Sequence, residues 1–255
     1  MQNLRGKTVL ITGASSGIGA ACARQFAASG ANLILCARRL ERLQALAKEL
    51  SSVEVLPLPL DITDADAINE AFVNLPKTWQ NIDILINNAG LALGREPIFA
   101  SKMADLERMF DTNVKGLLYM TRQVLVNMLE RNVGHIVNIG SIAGRQVYPG
   151  GNVYCASKHA VRALSQGLKL DLLGYNIKVS LIEPGMVETE FSEVRFAGDK
   201  EKARSVYQGF TPLTANDIAD AVIYCTSRPA HVNIDDIILM PSAQASAEHV
   251  YRQKT

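Results

Sequence analysis

A tyrosine and a lysine four positions apart are the residues of this sequence whose types and spacing most directly suggest chemistry. Tyr154 and Lys158 lie in the run YCASK. If this run is helical, both side chains rise from one face, one turn apart, so the ammonium lies close to the phenol. A nearby positive charge lowers the pKa of a phenol because it favours the phenolate. The pair therefore predicts that Tyr154 gives or takes a proton near neutral pH, once a substrate presents an oxygen to it.

A glycine-rich turn near the amino end, TGASSGIG, predicts a place for a dinucleotide. Gly13, Gly17 and Gly19 follow an apolar, strand-like run and precede a helical pattern. Their spacing, GxxxGxG, differs from the common GxGxxG fingerprint, but the placement between a strand and a helix is the same. Glycine lets the backbone turn tightly and approach a pyrophosphate, whose charge is met by the amino end of the helix. With the tyrosine and lysine, this turn predicts a nicotinamide-dependent alcohol or ketone oxidoreductase.

Two arginines beyond the glycines predict which nicotinamide cofactor is bound. About 20 residues after such a turn, an acidic residue accepts hydrogen bonds from the adenosine ribose of NAD. This chain instead has Arg38 and Arg39, and arginine grips a 2′-phosphate through charge-assisted, bidentate bonds. We therefore predict NADP, the alternative being that both arginines start the solvated face of the next helix. Asp61, which ends LPLD, is expected to accept from the adenine amino group or to cap the following turn.

Composition indicates a soluble globular protein. The chain has 255 residues, of which 48% are apolar and 20% charged, and this balance is typical of a protein with a core. A net charge of +1 gives no overall field that would recruit nucleic acid or an anionic membrane. Four separated cysteines form no CxxC pair, so we expect no zinc site, no redox motif and no bound metal. An amino terminus without a long apolar leader, and the lack of any apolar stretch near 18 residues, predict a cytoplasmic protein.

Seven short β-branched runs alternate with amphipathic stretches along the chain. The alternation predicts βαβ units, and the nearly continuous apolar character predicts strands buried on both faces. We expect one domain over residues 1–255, a doubly wound, parallel, seven-stranded, Rossmann-like α/β sheet with helices on both faces. In such a sheet the ligand crevice lies beyond the carboxyl ends of the strands, where the candidate residues fall. The predicted strands are 8–12, 32–36, 53–58, 83–87, 135–140, 178–183 and 236–240.

The segment of residues 186–212 departs from this regular pattern. It contains mixed sequence such as RFAGDKEKARSVYQGF, without a strand and with weak helical periodicity. A long irregular insertion at the ligand end of a sheet is often a lid or substrate loop, so we expect this segment to cover the substrate. The alternative is a surface excursion without a catalytic role.

Several further motifs are spaced along almost the entire chain. They are TGASSGIG, NNAG at 87–90, Asn113, Ser141, YCASK and PG at 184–185. As a set they resemble the motifs of the short-chain dehydrogenase/reductase family. The resemblance implies that Ser141, Tyr154 and Lys158 form a catalytic triad, which Asn113 extends to a tetrad. It also implies a homotetramer that uses the helices near residues 102–131 and 151–174.

The resemblance implies a role for each of these side chains. Tyr154 donates a proton to the substrate oxygen as hydride arrives, or removes it in the oxidative direction. Ser141 hydrogen-bonds the same oxygen, Lys158 holds the ribose and keeps the tyrosine acidic, and Asn113 anchors a water that carries the proton onward. Thr189 matches the position that meets the nicotinamide carboxamide. The predicted cofactor residues are Gly13, Ser15, Ser16, Gly17, Ile18, Gly19, Arg38, Arg39, Asp61, Ile62, Asn88, Ala89, Gly90, Tyr154, Lys158, Pro184, Gly185, Val187 and Thr189.

Four stretches resemble the NADP-dependent 3-hydroxy acid dehydrogenase group of the family, which includes enzymes acting on serine and allo-threonine. They are NIDILINNAGLALG, GGNVY, TEFSEVRF and PAHVNI. A hydroxy acid needs a cation for its carboxylate near Tyr154, and the candidates are Arg145 and Arg195. We favour Arg195 because it lies in one of these stretches, where a bidentate guanidinium would orient the acid beside Ser141 and Tyr154.

Two other functions stay open at this point. One is an NADPH-dependent reductase of neutral ketones or diketones, and the other is a non-catalytic NADP-binding scaffold. The intact serine, tyrosine and lysine argue against the scaffold. The apolar pocket of a neutral-carbonyl reductase would be formed by Tyr148, Met186, Phe191 and Phe196.

Overall fold

Seven parallel strands form one sheet, which confirms the predicted doubly wound architecture. The structure is a computed structural model that describes residues 3–253. The strands are β1 (Thr8–Thr12), β2 (Asn32–Ala37), β3 (Val55–Pro59), β4 (Ile84–Asn87), β5 (Gly134–Ile139), β6 (Ile177–Pro184) and β7 (Asp236–Leu239). Their order in the sheet is β3-β2-β1-β4-β5-β6-β7, so it reverses between β1 and β4, where such sheets bind their ligands.

Helices cover both faces of the sheet. Successive residues of β1 point to opposite faces, because side chains alternate along a strand. Val9 and Ile11 pack in one cluster with Phe26, while Leu10 packs with Met120 on the other face. All five residues of β1 are buried, which explains why its sequence is apolar without alternation. The helices are α1 (Gly17–Ala28), α2 (Leu40–Glu49), α3 (Ala65–Val73), α4 (Met103–Phe110), α5 (Leu117–Arg131), α6 (Asn152–Asp171), α7 (Phe191–Arg195), α8 (Lys200–Ser205) and α9 (Ala215–Thr226).

The predicted long helix of residues 102–131 is not one regular α-helix. A π-helical segment, Asp111–Gly116, lies between α4 and α5. Such segments are rare and often occur at functional sites, and this one contains Asn113. The apolar pattern did not predict it, because one extra residue in a turn leaves the periodicity on either side almost unchanged.

The segment of residues 186–212 contains two short helices, α7 and α8, joined by turns. An isolated parallel bridge between Val187 and Leu213 joins the two ends of the segment. The carboxy-terminal tail is hydrogen-bonded to this segment. Arg252 Nη2 donates to the Val206 carbonyl over 2.8 Å, and the Gln253 amide donates to the Gly209 carbonyl over 2.8 Å. Within residues 3–253, none of the helices combines the length and apolar character that crossing a bilayer requires.

Candidate active site

The predicted cofactor residues meet in one cleft at the carboxyl ends of the strands. The cleft has a volume of about 360 Å³. All of the predicted cofactor residues line it except Gly19, and so does Ser141. Gly19 lies beneath the turn, Asn113 lies behind Gly90, and Arg195 borders a small neighbouring cavity that also reaches Tyr154. The topology thus brings together residues from six strand ends, as expected for a parallel sheet.

The glycine turn packs closely against itself and against the loop that follows β4. Gly13 has a φ of +67°, and a Cβ there would lie 2.9 Å from the Cα of Ala89. A Cβ on Gly19 would lie 2.4 Å from the Gly13 carbonyl oxygen. At the amino end of α1, Ser16 is extended and its side chain makes no capping hydrogen bond. The first N–H groups of α1 therefore face the cleft without a side-chain cap, which fits an anionic pyrophosphate.

Two arginines border the cleft at the place predicted for a 2′-phosphate. Arg39 donates from Nη2 to Ser15 and Ser16, over 2.9 and 3.0 Å. Arg38 Nη1 lies 3.7 Å from Asp61 Oδ2, with 59% of the Arg38 side chain exposed. Both guanidiniums therefore point into the cleft region rather than only into solvent, and the residues fit NADP.

Asp61 caps the turn that follows β3. Its Oδ1 accepts from the amide and the hydroxyl of Thr63, over 3.0 and 2.8 Å. Burial alone would raise the pKa of Asp61, but these bonds and the charge of Arg38 hold it below its usual value. The capping role considered for Asp61 is confirmed, and contact with adenine stays a prediction.

Tyr154 is buried on α6, where burial raises the pKa of its phenol above the usual value. Tyr148 adds to this rise, while a hydrogen bond with Ser141 and the charge of Arg195 oppose it. The ring also packs at 5.7 Å from that of Phe191. Arg195 is a cation that acts on this phenol, and the role of Lys158 in keeping Tyr154 acidic stays a prediction. Ser141 and Tyr154 both line the cleft, and their catalytic pairing stays a prediction.

Lys158 points past the tyrosine into the floor of the cleft. Its Nζ donates to the Ile139 carbonyl over 2.9 Å, and a Cβ on Gly90 would lie 3.5 Å from it. Burial lowers the pKa of Lys158 to about 8. An ammonium has three N–H donors, and the other two have no acceptor within residues 3–253. They are free for hydroxyl groups of a bound ribose.

Asn113 fixes the loop that follows β4. Its Nδ2 donates to the Leu91 carbonyl and its Oδ1 accepts from the Leu91 amide, both over 2.8 Å. Nδ2 also donates to Ser157 Oγ over 3.0 Å, and Ser157 donates to the Tyr154 carbonyl over 2.7 Å. The Asn113 side chain therefore ties the loop after β4 to α6 at the residue before Lys158. The predicted water relay through Asn113 stays a prediction.

The two candidate carboxylate-binding arginines differ in their surroundings. Arg145 is ion-paired with Glu183 and Asp236, and it is not among the residues that line the cleft. Arg195 Nε donates to the Gly94 carbonyl over 3.0 Å. Its guanidinium carbon lies 5.8 Å from the centroid of the Tyr154 ring. Of the two, the geometry supports Arg195.

One nitrogen of Arg195 is buried and unpaired. Nη1 donates to the Tyr148 hydroxyl over 3.1 Å, but Nη2 has no hydrogen-bond partner in the part of the chain that the structure describes, residues 3–253. A buried donor without a partner costs about 1–3 kcal/mol. Folded proteins keep such groups rarely, and a ligand is one physical reason for keeping them.

Some residues of the cleft were not predicted from the sequence. Leu91 and Thr112 carry no chemical signal, and their place follows only from the fold. Glu190 also lines the cleft and contacts Arg39 and Arg42; these partners lie about 150 positions away, which no local pattern reveals. Of the residues considered for a neutral-carbonyl pocket, Phe191 lines the cleft.

The strand order, the open amino end of α1 and the buried tyrosine and lysine define a dinucleotide-binding oxidoreductase fold. The model of the family described as short chain dehydrogenase matches residues 7–200, and this chain belongs to that family.

The relatives within this family are similar over nearly the full length. An NADP-dependent 3-hydroxy acid dehydrogenase of Salmonella typhi is 52% identical over 240 residues, which are 94% of this chain and 96% of that protein. The serine 3-dehydrogenase of Agrobacterium fabrum is 45% identical over 247 residues, or 96% and 98% of the two chains. Among solved structures, the closed form of serine dehydrogenase complexed with NADP+ has a TM-score of 0.91 and 49% identity, covering 96% of this chain and all of that one.

Proposed function

We propose that this protein is an NADP-dependent dehydrogenase that transfers hydride between its cofactor and C3 of a small 3-hydroxy acid, such as serine, allo-threonine or 3-hydroxyisobutyrate. The observation that carries the proposal is the buried, unpaired Nη2 of Arg195 beside Tyr154. The names of the relatives at 45–52% identity support it.

Different residues of the cleft bind different parts of the cofactor. The uncapped N–H groups of α1 receive the pyrophosphate, and Arg38 and Arg39 bind the 2′-phosphate through charge-assisted hydrogen bonds. The two free donors of Lys158 bind the ribose hydroxyls, and Thr189 meets the carboxamide. The bound nicotinamide supplies the carbon that takes or gives the hydride.

Tyr154 and Ser141 act on the substrate oxygen at C3. Because burial raises the pKa of Tyr154, its phenol is protonated at neutral pH and can donate to the carbonyl oxygen of a 3-oxo acid. In the oxidative direction the phenol first loses its own proton to solvent, and the resulting phenolate, which the charge of Arg195 favours, then accepts the hydroxyl proton. Ser141 donates a second hydrogen bond to the oxygen and shares its developing charge.

Arg195 holds the substrate carboxylate. A carboxylate that accepts from Nη2 satisfies the unpaired donor and places C3 next to the Tyr154 hydroxyl. A neutral ketone would leave that donor buried without a partner, at a cost of about 1–3 kcal/mol. For this reason we favour the hydroxy acid over the neutral-carbonyl reductase. Residues 186–212, which carry Arg195, then act as the substrate lid.

We also propose that the protein is a cytoplasmic homotetramer. Apolar side chains are exposed on the helices that the family resemblance assigns to the interface, including Val126 on α5 and Leu170 on α6, with 57% and 74% of their surface accessible. Light scattering coupled to size-exclusion chromatography measures the assembly directly. A mass of one chain would contradict the tetramer.

The activity is tested by absorbance of the reduced nicotinamide. L-serine, L-allo-threonine, 3-hydroxyisobutyrate and 3-hydroxypropionate are supplied with NADP and then NAD, and NADPH is supplied with neutral ketones and diketones. We expect turnover of the hydroxy acids with NADP. Turnover confined to the neutral carbonyls would assign the alternative function, and no turnover with intact NADP binding would indicate a scaffold.

A further inference from the structure

The carboxylate of Glu190 is bound by arginines at the edge of the cofactor cleft. Arg42 Nη1 donates to both of its oxygens, over 2.8 and 2.9 Å. Arg39 Nη1 donates to Oε2 over 3.3 Å. Glu190 is also the residue that immediately precedes α7. The Glu190 side chain therefore connects the start of α7 to Arg39 and Arg42.

Arg39 is shared between this carboxylate and the glycine turn. Its Nε and Nη2 donate to Ser15 Oγ, over 3.2 and 2.9 Å, and Nη2 also donates to Ser16 Oγ. Ser15, Ser16, Arg39 and Glu190 all line the cleft. The Glu190 carboxylate is thus hydrogen-bonded to the guanidinium of Arg39. The proposed function assigns the same guanidinium to the 2′-phosphate.

Glu190 is an anion in this position. Burial alone would raise its pKa, but the hydrogen bonds and charge of Arg42, and then those of Arg39, hold the pKa below its usual value. A 2′-phosphate carries about −1.5 to −2 charges at neutral pH and has three acceptor oxygens. A carboxylate and a phosphate that bind the same guanidinium repel each other, because both are negatively charged and lie close together.

We propose that Glu190 competes with the 2′-phosphate of NADP for Arg39, so that binding of the phosphate weakens the ion pairs that hold the amino end of α7. The inference rests on the proposed use of NADP. It adds a positioning residue that connects the adenosine end of the cofactor with the helix that carries Phe191 and Arg195. NAD, which lacks the phosphate, leaves the Glu190 ion pairs in place.

This exchange makes a distinct prediction about affinity. A ligand can shift the position of α7 only by the difference in its affinity for the two arrangements. The ion pairs of Glu190 oppose the phosphate, so their removal strengthens phosphate binding. If Glu190 instead held the arginines in position for the phosphate, removal of its ion pairs would weaken phosphate binding. The sign of the change separates the two roles.

The test compares 2′,5′-ADP with 5′-AMP, which differs from it only in lacking the 2′-phosphate, by titration calorimetry at fixed ionic strength. In Glu190→Gln, which keeps the size of the side chain, we expect 2′,5′-ADP to bind about two- to fivefold more tightly, the range for an exposed ion pair. 5′-AMP should bind as it does to the unmodified chain. Glu193→Gln is the matched control, since it removes the same charge from α7, and Glu193 makes no ion pair within residues 3–253. Its affinities should not change.

A second readout follows the backbone of α7. Amide hydrogen exchange of residues 190–196 should increase when 2′,5′-ADP is added to the unmodified chain, but not when 5′-AMP is added. In Glu190→Gln the exchange should be raised before any ligand is present. Weaker or unchanged binding of 2′,5′-ADP to Glu190→Gln, or equal exchange with both nucleotides, would overturn the role of Glu190. If the unmodified chain does not prefer 2′,5′-ADP to 5′-AMP, the proposed use of NADP itself fails.

Discussion

Arg195 donates a hydrogen bond from Nη1 to the hydroxyl of Tyr148, over 3.1 Å, and this bond holds its guanidinium beside the ring of Tyr154. Burial raises the pKa of both phenols, and Arg195 opposes the rise at each. The residue that we propose for substrate binding therefore also contributes to the electrostatics of the proton donor. Substrate position and proton transfer are linked through one side chain.

The Tyr154 hydroxyl is expected to be necessary for turnover but not for cofactor binding. Tyr154→Phe removes the proton donor and keeps the ring that packs on Phe191, so kcat should fall by roughly 10²–10⁴-fold, the usual worth of a general acid. NADPH affinity, followed by its fluorescence, should stay within about twofold, since the ribose is assigned to Lys158. If the kcat of Tyr154→Phe stays within tenfold of that of the unmodified enzyme, Tyr154 is not the general acid or base.

The arginines after β2 are expected to distinguish NADP from NAD. Arg39→Ala should weaken NADP by about 10- to 100-fold, because hydrogen bonds to charged groups contribute about 1.5–3 kcal/mol. Arg38→Ala should act in the same direction, but less strongly, since more of its side chain is exposed. NAD binding should hardly change in either variant. Equal losses for the two dinucleotides, measured by calorimetry, would mean that the arginines only support the fold.

Close packing at Gly19 is expected to tolerate no side chain. A Cβ there would lie 2.4 Å from the Gly13 carbonyl and 2.7 Å from Asn88 Nδ2, so Gly19→Ala should lower the free energy of unfolding by about 1–3 kcal/mol. Gly167→Ala is the control within α6, where a Cβ would meet no atom within 4 Å. It should raise that free energy by about 0.4–1 kcal/mol. Urea unfolding measures both, and equal effects would contradict the packing argument.

His135 is expected to make the fold sensitive to acid. Ser180 donates its hydroxyl to the Ile234 carbonyl, so His135 Nε2 must donate to Ser180 Oγ, over 2.9 Å. Nδ1 is left without a partner among the described residues. Burial lowers the pKa of His135 to about 3, from 6.5, and the unfolded chain therefore binds the extra proton first as the pH falls.

The sign of this effect follows from proton linkage. Below pH 6.5 the unfolded state is favoured, so the free energy of unfolding should fall by up to about 1.4 kcal/mol per pH unit toward pH 3. His135→Gln keeps a donor for Ser180 but does not titrate. Its stability should be lower at pH 7, yet the slope between pH 6.5 and 5 should be shallower. Parallel slopes in urea titrations would show that His135 does not cause the acid sensitivity.

The sheet and the floor of the cleft could be predicted because their causes are local. Residues 8–12 form a buried strand because every side chain is apolar or β-branched, and the glycines follow it directly. Tyr154 and Lys158 lie on the same helix, so their spacing of four residues was enough to predict that they share one face of it. The direction of the lysine could not be predicted in this way: its ammonium is drawn to the Ile139 carbonyl, 19 positions earlier in the chain.

The upper part of the cleft depends on contacts between distant segments. Arg195 was favoured from its neighbourhood in sequence, but its unpaired nitrogen results from packing of α7 against Gly94 and Tyr148. The contact of Glu190 with Arg39 likewise joins residues 151 positions apart. Their geometry depends on how a short helix closes over the sheet. Hydrophobic periodicity carries no information about that closure.

The central claim is tested most directly by one pair of substrates and one variant. 3-Hydroxypropionate and 3-hydroxypropionamide have the same shape around C3 and differ in the charge that Arg195 is proposed to bind. The ratio of their kcat/KM values should strongly favour the acid in the unmodified enzyme and should fall by about 100-fold in Arg195→Gln, since loss of one partner of a buried charge pair costs about 2–5 kcal/mol. An unchanged ratio, with both substrates slowed equally, would contradict the account.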